Sequence, residues 1–217
     1  MGTISKPKLA GMSLILGPII TTVCYFIQQL VIFPDVEWNK AASWAAAGAK
    51  NDTLLSITGI IISFTLLMLV YGILFIADEI KGNGNGDALA SYSIPTILTG
   101  LIGFIFSSGM FIAAANFPSP AAASEAVYLA ATGINSISGI FFSLGFATIF
   151  FAMASREEYN TMLANIAGLI AIIALILSII GSINVGSAQT MTQIVGLTYI
   201  IHTIYAIYIG YGIINRE

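Results

Sequence analysis

The chain contains one histidine, at position 202, inside an apolar stretch. Thr198, His202 and Tyr205 follow the spacing i, i+4 and i+7, which places them on one face of a helix, with Tyr208 nearby. An ionisable group at membrane depth is a candidate functional site, because it could relay a proton or bind a substrate. The alternative, which we favour, is a neutral imidazole hydrogen-bonded within a bundle. A single histidine excludes a bis-histidine haem site but not one axial ligand.

Six side-chain amides gather towards one end of the apolar segments, in five different predicted helices. Amides in lipid must find hydrogen-bond partners or water. They could line an outward-facing polar vestibule, or they could form an interhelical hydrogen-bond belt, which is the commoner outcome. The six residues of this candidate outer vestibule are Gln28, Gln29, Asn116, Asn135, Asn184 and Gln193.

Other chemistry has little support in the sequence. The acidic pairs at 78–79 and 157–158 lie at the ends of apolar runs and are interpreted as solvated helix ends. We find no paired carboxylates, histidine-rich motif, phosphate loop or nucleophile with a base at fixed spacing. Cys24, the only cysteine, cannot form an intrachain disulfide or a cysteine-based metal cluster. The sequence therefore predicts a protein that is not an enzyme and has no cofactor.

Composition points to a membrane protein. Of 217 residues, 58% are hydrophobic and 8% are charged, and the mean hydropathy is +0.95. A soluble domain usually carries about 25% charged residues, so this chain cannot cover a water-soluble surface. The formal charge of −3 provides no basic patch, which argues against nucleic acid as a partner. We predict an all-α, polytopic membrane protein whose residues 1–217 form a single transmembrane domain.

Six apolar segments have the roughly 20 residues needed to cross a bilayer. They are predicted at residues 9–33, 54–78, 92–116, 127–153, 161–183 and 191–214. The first is interpreted as a retained span rather than a signal peptide. Of the seven Lys and Arg residues, five would share a side with the termini, which predicts a multi-pass cell-membrane protein with both termini in the cytoplasm. The stretch 34–52 would be a short surface helix or an irregular loop.

An eight-residue pattern occurs twice. Residues 56–63 read Ser-Ile-Thr-Gly-Ile-Ile-Ile-Ser, and residues 136–143 read Ser-Ile-Ser-Gly-Ile-Phe-Phe-Ser. Small residues on one helix face are typical of helix–helix packing in lipid. The predicted packing residues are Ser56, Gly59, Ser63, Ser136, Gly139 and Ser143. With further matches, the pattern predicts three helical hairpins (spans 1–2, 3–4 and 5–6), the third degenerate and keeping only Gly196.

Three functions from different classes fit these features. The leading hypothesis is a small accessory or structural subunit of a membrane protein complex, whose partners are the lipid bilayer and other membrane subunits or further copies of the chain. The alternative is a channel or uncoupled transporter for a small neutral solute, suggested by the amides and the His202 face. The weakest is a haem- or quinone-associated membrane subunit that uses His202.

Overall fold

The computed structural model describes residues 4–82 and 84–216, and within them the chain forms seven α-helices. These are α1 (Lys6–Ile27), α2 (Ala41–Lys50), α3 (Asp52–Ile80), α4 (Asp87–Asn116), α5 (Ala121–Ala154), α6 (Thr161–Ile183) and α7 (Ala188–Ile214). A π-helical turn, Gln28–Ile32, continues α1, and a 3₁₀ turn, Val185–Ser187, precedes α7. All but α2 are long and apolar enough to cross a membrane, which agrees in number with the six predicted apolar helices.

Local sequence signals explain several helix ends. Ser5 caps α1 by accepting a hydrogen bond from the Lys8 amide, and Asn160 caps α6 by accepting one from the Leu163 amide. Between α3 and α4, three glycines have φ values of 76°, 90° and 87°. These positive values lie in the left-handed region, which glycine adopts readily and residues with side chains rarely do. Because a right-handed helix requires negative φ values, the chain is not helical at these glycines. Asn83, in the same connection, lies outside the described residues.

The sequence leaves the stretch 34–52, on the side opposite the termini, open between a short helix and an irregular loop. In the structure this stretch contains a helix, α2, whose Trp44 packs against Phe33, Trp38 and Tyr128 with ring centroids 4.8–6.0 Å apart. Aromatic packing therefore holds α2 against the first turns of α5. α5 itself begins at Ala121, with Pro120 at its cap position.

The six long helices form a closed ring in chain order. Each packs against the helix before and after it in the chain, and α7 returns to pack against α1. The closing contact is very close: a Cβ atom built on Gly11 would lie 2.6 Å from the Gly210 carbonyl oxygen, and one built on Gly210 would lie 2.6 Å from that of Gly11. Because Gly11 is near the start of α1 and Gly210 near the end of α7, both chain ends lie on one face, here called the termini face.

Apolar and aromatic side chains fill the interior of the ring. Phe142, Phe146 and Phe150 project inward from α5, the most buried of the six long helices, and pack with Ile73 and Ile76 of α3. The outward surface is also apolar. Its most exposed large side chains include Phe64, Phe106, Ile183 and Ile204. Water would not favour such a surface, so the arrangement is compatible with an integral membrane protein.

The predicted hairpin repeat is not confirmed. In the first hairpin the closest approach to a backbone is that of Gly17, whose added Cβ would lie 2.8 Å from the backbone of both Thr65 and Leu69. In the second, Gly100 approaches the backbone of Ser138 and Phe142 at 2.9 Å. In the sequence repeat, Ser138 corresponds to residue 58. The contact in the first hairpin lies instead at Thr65, about two helical turns further along, so the two hairpins do not pack in the same way.

Candidate functional site

The four residues of the predicted polar face do not share one environment. Thr198, His202 and Tyr205 are buried, whereas Tyr208 is 53% exposed. The Thr198 hydroxyl donates to the carbonyl of Val195, 2.7 Å away in its own helix. Thus three of the four residues face the interior of the ring, and His202 is the ionisable group among them.

His202 lies in an aromatic stack between α5 and α7. Its ring is nearly parallel to that of Phe146 at a centroid distance of 5.6 Å, and the Phe150 ring lies 5.5 Å away. Phe150 in turn packs edge-on against Tyr205 at 5.3 Å. The imidazole thus packs as one ring among the aromatic side chains of the apolar core.

The two ring nitrogens of His202 differ. Nε2 lies 3.3 Å from the Ala167 carbonyl oxygen of α6, and because a carbonyl only accepts, Nε2 carries the proton and donates. Nδ1 is then a bare acceptor, fully buried and without a hydrogen-bond partner, the single such side-chain atom in residues 4–82 and 84–216. Leaving a buried acceptor unsatisfied costs about 1–3 kcal/mol. Nδ1 is therefore the interior atom most in need of a donor.

Three of the six amides make hydrogen bonds between neighbouring helices. Gln28 donates to the Thr58 hydroxyl at 3.0 Å, and Asn116 donates to the Ser56 hydroxyl at 2.9 Å. The Asn135 carbonyl oxygen accepts from Ser107 at 3.3 Å. In each pair an amide on one helix meets a hydroxyl on the adjacent helix. This is the geometry expected of an interhelical belt.

The other three amides are not brought together. Gln29 is half-buried, and Asn184 and Gln193 are exposed. The Asn184 side chain accepts from the Gly186 amide within its own turn, at 3.1 Å. Among the hydrogen bonds of the described residues, none joins two of the six amides.

The two serine–glycine patterns both border α4. A Cβ on Gly59 would lie 3.3 Å from Ile112 of α4, and Ser63 bonds back to the Gly59 carbonyl. Gly139 lies between α4 and α6, at 4.0 Å from a side chain of each. Ser136 is half-buried and Ser143 is buried. The first pattern therefore contacts both neighbours in the ring: Gly59 faces Ile112 of α4, and Thr58 accepts a hydrogen bond from Gln28 at the end of the first span.

A cluster of charged and aromatic side chains on the termini face was missed by the sequence analysis, which interpreted its acidic members as solvated helix ends. The Tyr159 hydroxyl donates to Glu79 at 3.2 Å, and Arg216 lies 3.4 Å from the same carboxylate. The Arg216 guanidinium also lies 5.3 Å from the Tyr159 ring centroid, a cation–π distance. These contacts join the end of α3, the α5–α6 connection and the end of α7.

Arg156 and Glu158 extend this cluster within the α5–α6 connection. Arg156 donates two hydrogen bonds to the Glu158 carboxylate, at 2.9 and 3.2 Å, and these lower the pKa of Glu158. Burial, followed by the negative charge of Glu79, raises the pKa of Tyr159 and keeps its phenol protonated. No signal in the sequence links positions 79, 159 and 216, because they meet only when the ring closes.

The described part of the chain contains no group of three or more His, Cys, Asp or Glu side chains that could hold a metal ion. What the structure does present is hydrogen-bonding chemistry: the interior acceptor on His202, the amide–hydroxyl pairs, and the cluster of arginine, glutamate and tyrosine at the termini face.

No family model, curated protein or solved structure matches this chain.

Proposed function

We propose that this chain is a non-enzymatic integral membrane protein that serves as a small accessory or structural subunit of a membrane protein complex. The observation that carries the proposal is the filled interior: phenylalanines of α5 occupy the centre of the ring. Three of the six amides join neighbouring helices through amide–hydroxyl pairs. Both features suit a protein that packs rather than one that conducts or catalyses.

A surface suited to a partner helix lies on the first half of α5. Ala122, Ala126, Ala130 and Gly133 are exposed and follow the spacing i, i+4, i+8 and i+11. A Cβ on Gly133 would meet no atom within 4 Å. Small residues at this spacing let a transmembrane helix approach closely, which favours association in lipid. We expect a helix of another membrane subunit to occupy this face.

Co-purification from native membranes tests the proposal. After gentle detergent extraction, we expect a stoichiometric partner that is lost in Gly133→Leu, because leucine would hold the partner helix away. The matched control is Ser182→Leu, which places the same side chain at an exposed position of α6. Recovery of the unsubstituted protein only as a monodisperse, partner-free species would contradict the proposal, and recovery only with copies of itself would make the partner a second copy.

We also propose that the termini face is cytoplasmic. Five of the seven Lys and Arg residues flank this face of the ring. The positive-inside rule then places both chain ends in the cytoplasm of a multi-pass cell-membrane protein.

The second candidate is a channel or uncoupled transporter for a small neutral solute. The observation in its favour is Nδ1 of His202, a buried acceptor that a solute hydroxyl or amide could satisfy. We would expect solute flux in reconstituted liposomes that is lost in His202→Ala and in Asn135→Ala. Absence of flux across a broad panel of neutral solutes would rule against it.

The third candidate, a haem- or quinone-associated subunit that uses His202, separates from the other two by a simple measurement. An ultraviolet–visible spectrum of the purified protein without a haem band would remove the haem version.

A further inference from the structure

We propose that the termini face binds a zwitterionic phospholipid, with the phosphate and ammonium of its headgroup in the arginine–glutamate–tyrosine cluster and one acyl chain along α7. The proposal is independent of the subunit role, since it concerns a lipid held by the isolated protein. It rests on two adjoining clefts, on their position relative to the apolar segments, and on the balance of charge in their walls.

The two clefts have volumes of about 270 and 210 Å³ and share Glu158, Tyr159 and Arg216 as lining residues. The first cleft reaches two more charged residues, Glu79 and Arg156. The second continues from the shared residues along α7. Its remaining lining residues carry no formal charge and are Asn160, Tyr205, Tyr208, Ile209, Tyr211 and Gly212. A ligand with a charged head and an uncharged tail would match this change of lining from one cleft to the next.

The clefts lie at the level expected for lipid headgroups. They are bordered by the ends of α3, α5 and α7 and by the start of α6, where the apolar segments stop and charged residues begin. Tyr208 and Tyr211 are 53% and 66% exposed at this level. Tyrosine is enriched at the boundary between hydrocarbon and headgroups, where its ring and hydroxyl meet different surroundings. A lipid could enter sideways from the bilayer.

Arg216 is the residue best placed to bind a phosphate. Its guanidinium has five N–H donors, and its contacts with the Glu79 carboxylate and the Glu158 carbonyl are both long, at 3.4 Å. The side chain is 40% exposed, so it can turn towards a ligand. Asn160, which lines the second cleft, is the cap residue at the start of α6. The positive end of the helix dipole at this point favours a negative group such as a phosphate.

The cluster also presents negative charge, which selects the class of lipid. Two carboxylates, Glu79 and Glu158, accompany two guanidiniums, Arg156 and Arg216, so the formal charges cancel. A headgroup with phosphate alone would add net negative charge to a cluster whose formal charges already cancel. An ammonium group beside the phosphate would pair with those carboxylates and with the tyrosine faces. The complementary ligand is therefore zwitterionic rather than anionic.

The groove for the acyl chain follows one face of α7. Tyr205, Ile209 and Gly212 have the spacing i, i+4 and i+7 and line the second cleft together. A Cβ on Gly212 would meet no atom within 4 Å, so the groove is open at that point. A leucine at position 212 would occupy this space and block the chain.

The test is a titration of the full chain, purified and stripped of lipid in detergent, followed by native mass spectrometry. The probe is a phosphatidylethanolamine, compared with a phosphatidylglycerol and a diacylglycerol of the same acyl chains and with soluble glycerophosphoethanolamine. We expect phosphatidylethanolamine to bind at least about tenfold more tightly than each of the others. Arg216→Gln and Gly212→Leu should each weaken its binding about tenfold, because one removes charge-assisted hydrogen bonds and the other fills the groove.

Each other result overturns the proposal in a specific way. Tighter binding of phosphatidylglycerol would make the site an anion site. Equal binding by glycerophosphoethanolamine would make the ligand a soluble headgroup rather than a lipid. The control is Gly109→Leu, at an exposed position of α4 where an added Cβ meets no atom within 4 Å. If it weakens binding as much as Gly212→Leu, or if Arg216→Gln binds as tightly as the unsubstituted protein, the bound lipid is only annular.

Discussion

The crossing of α1 and α7 predicts a large effect from a single methyl group. In Gly210→Ala the new Cβ would lie 2.6 Å from the Gly11 carbonyl oxygen, where ordinary contact begins at 3.4 Å. The two backbones must therefore separate by about 0.8 Å, and a close-packed interior resists such a shift. Overpacking of this kind costs about 2 kcal/mol, which for a chain of this length lowers the melting temperature by about 4–8 °C.

Thermal unfolding in a mild detergent measures this effect, with Gly212→Ala as the matched control. Gly212 is two residues further along the same helix, and a Cβ there would meet no atom within 4 Å. Alanine favours a helix more than glycine does, so the melting temperature of the control should be unchanged or slightly raised. Equal melting temperatures for the two variants would refute the close crossing and, with it, the closed ring.

Three further predictions concern the belt, the topology and the termini face. A double-mutant cycle of Gln28→Leu and Thr58→Val should give a coupling energy of about 0.6 kcal/mol, and zero coupling would show that their hydrogen bond contributes nothing. Cysteines placed at the exposed positions Lys50 and Lys81, in a background without the native cysteine, should react with an impermeant reagent from opposite sides of the membrane; reaction from the same side would contradict six spans. The pKa of Glu158 is lowered in the folded state. Its contribution to stability is therefore present above the unfolded pKa of about 4.3 and is lost as the pH falls through the folded pKa. Glu158→Gln should flatten the acid limb of a stability–pH profile, and an unchanged limb would rule out that contribution.

The spans could be predicted from the sequence because bilayer thickness demands long apolar runs, and these are visible in composition alone. The break between α3 and α4 was equally readable, since alternating glycines cannot sustain a helix. For the stretch 34–52 the sequence left a short surface helix and an irregular loop open. The ring of Trp44 in this stretch is held partly by Tyr128, which is distant in the chain, so local sequence alone could not choose helix over loop.

Contacts between distant segments could not be predicted in the same way. Gly11 and Gly210 lie at opposite ends of the chain, and neither belongs to a repeated pattern. The carboxylate of Glu79 looks solvated in the sequence, because its partners Tyr159 and Arg216 arrive from other segments. The stacking of His202 on Phe146 could not be predicted either, because it depends on how α5 turns its aromatic side towards α7.

Closure of the ring by its first and last helices has a consequence for biosynthesis. During synthesis α1 enters the membrane before its neighbour α7 is made, and the flank of α1 that faces α7 stays bare until α7 arrives. Until then the Thr22 hydroxyl also lacks its partner, since its 2.9 Å hydrogen bond is to Thr203 of α7. The nascent chain must therefore keep a polar hydroxyl and a glycine groove sheltered in lipid, or against an insertion factor, while five more long helices are translated.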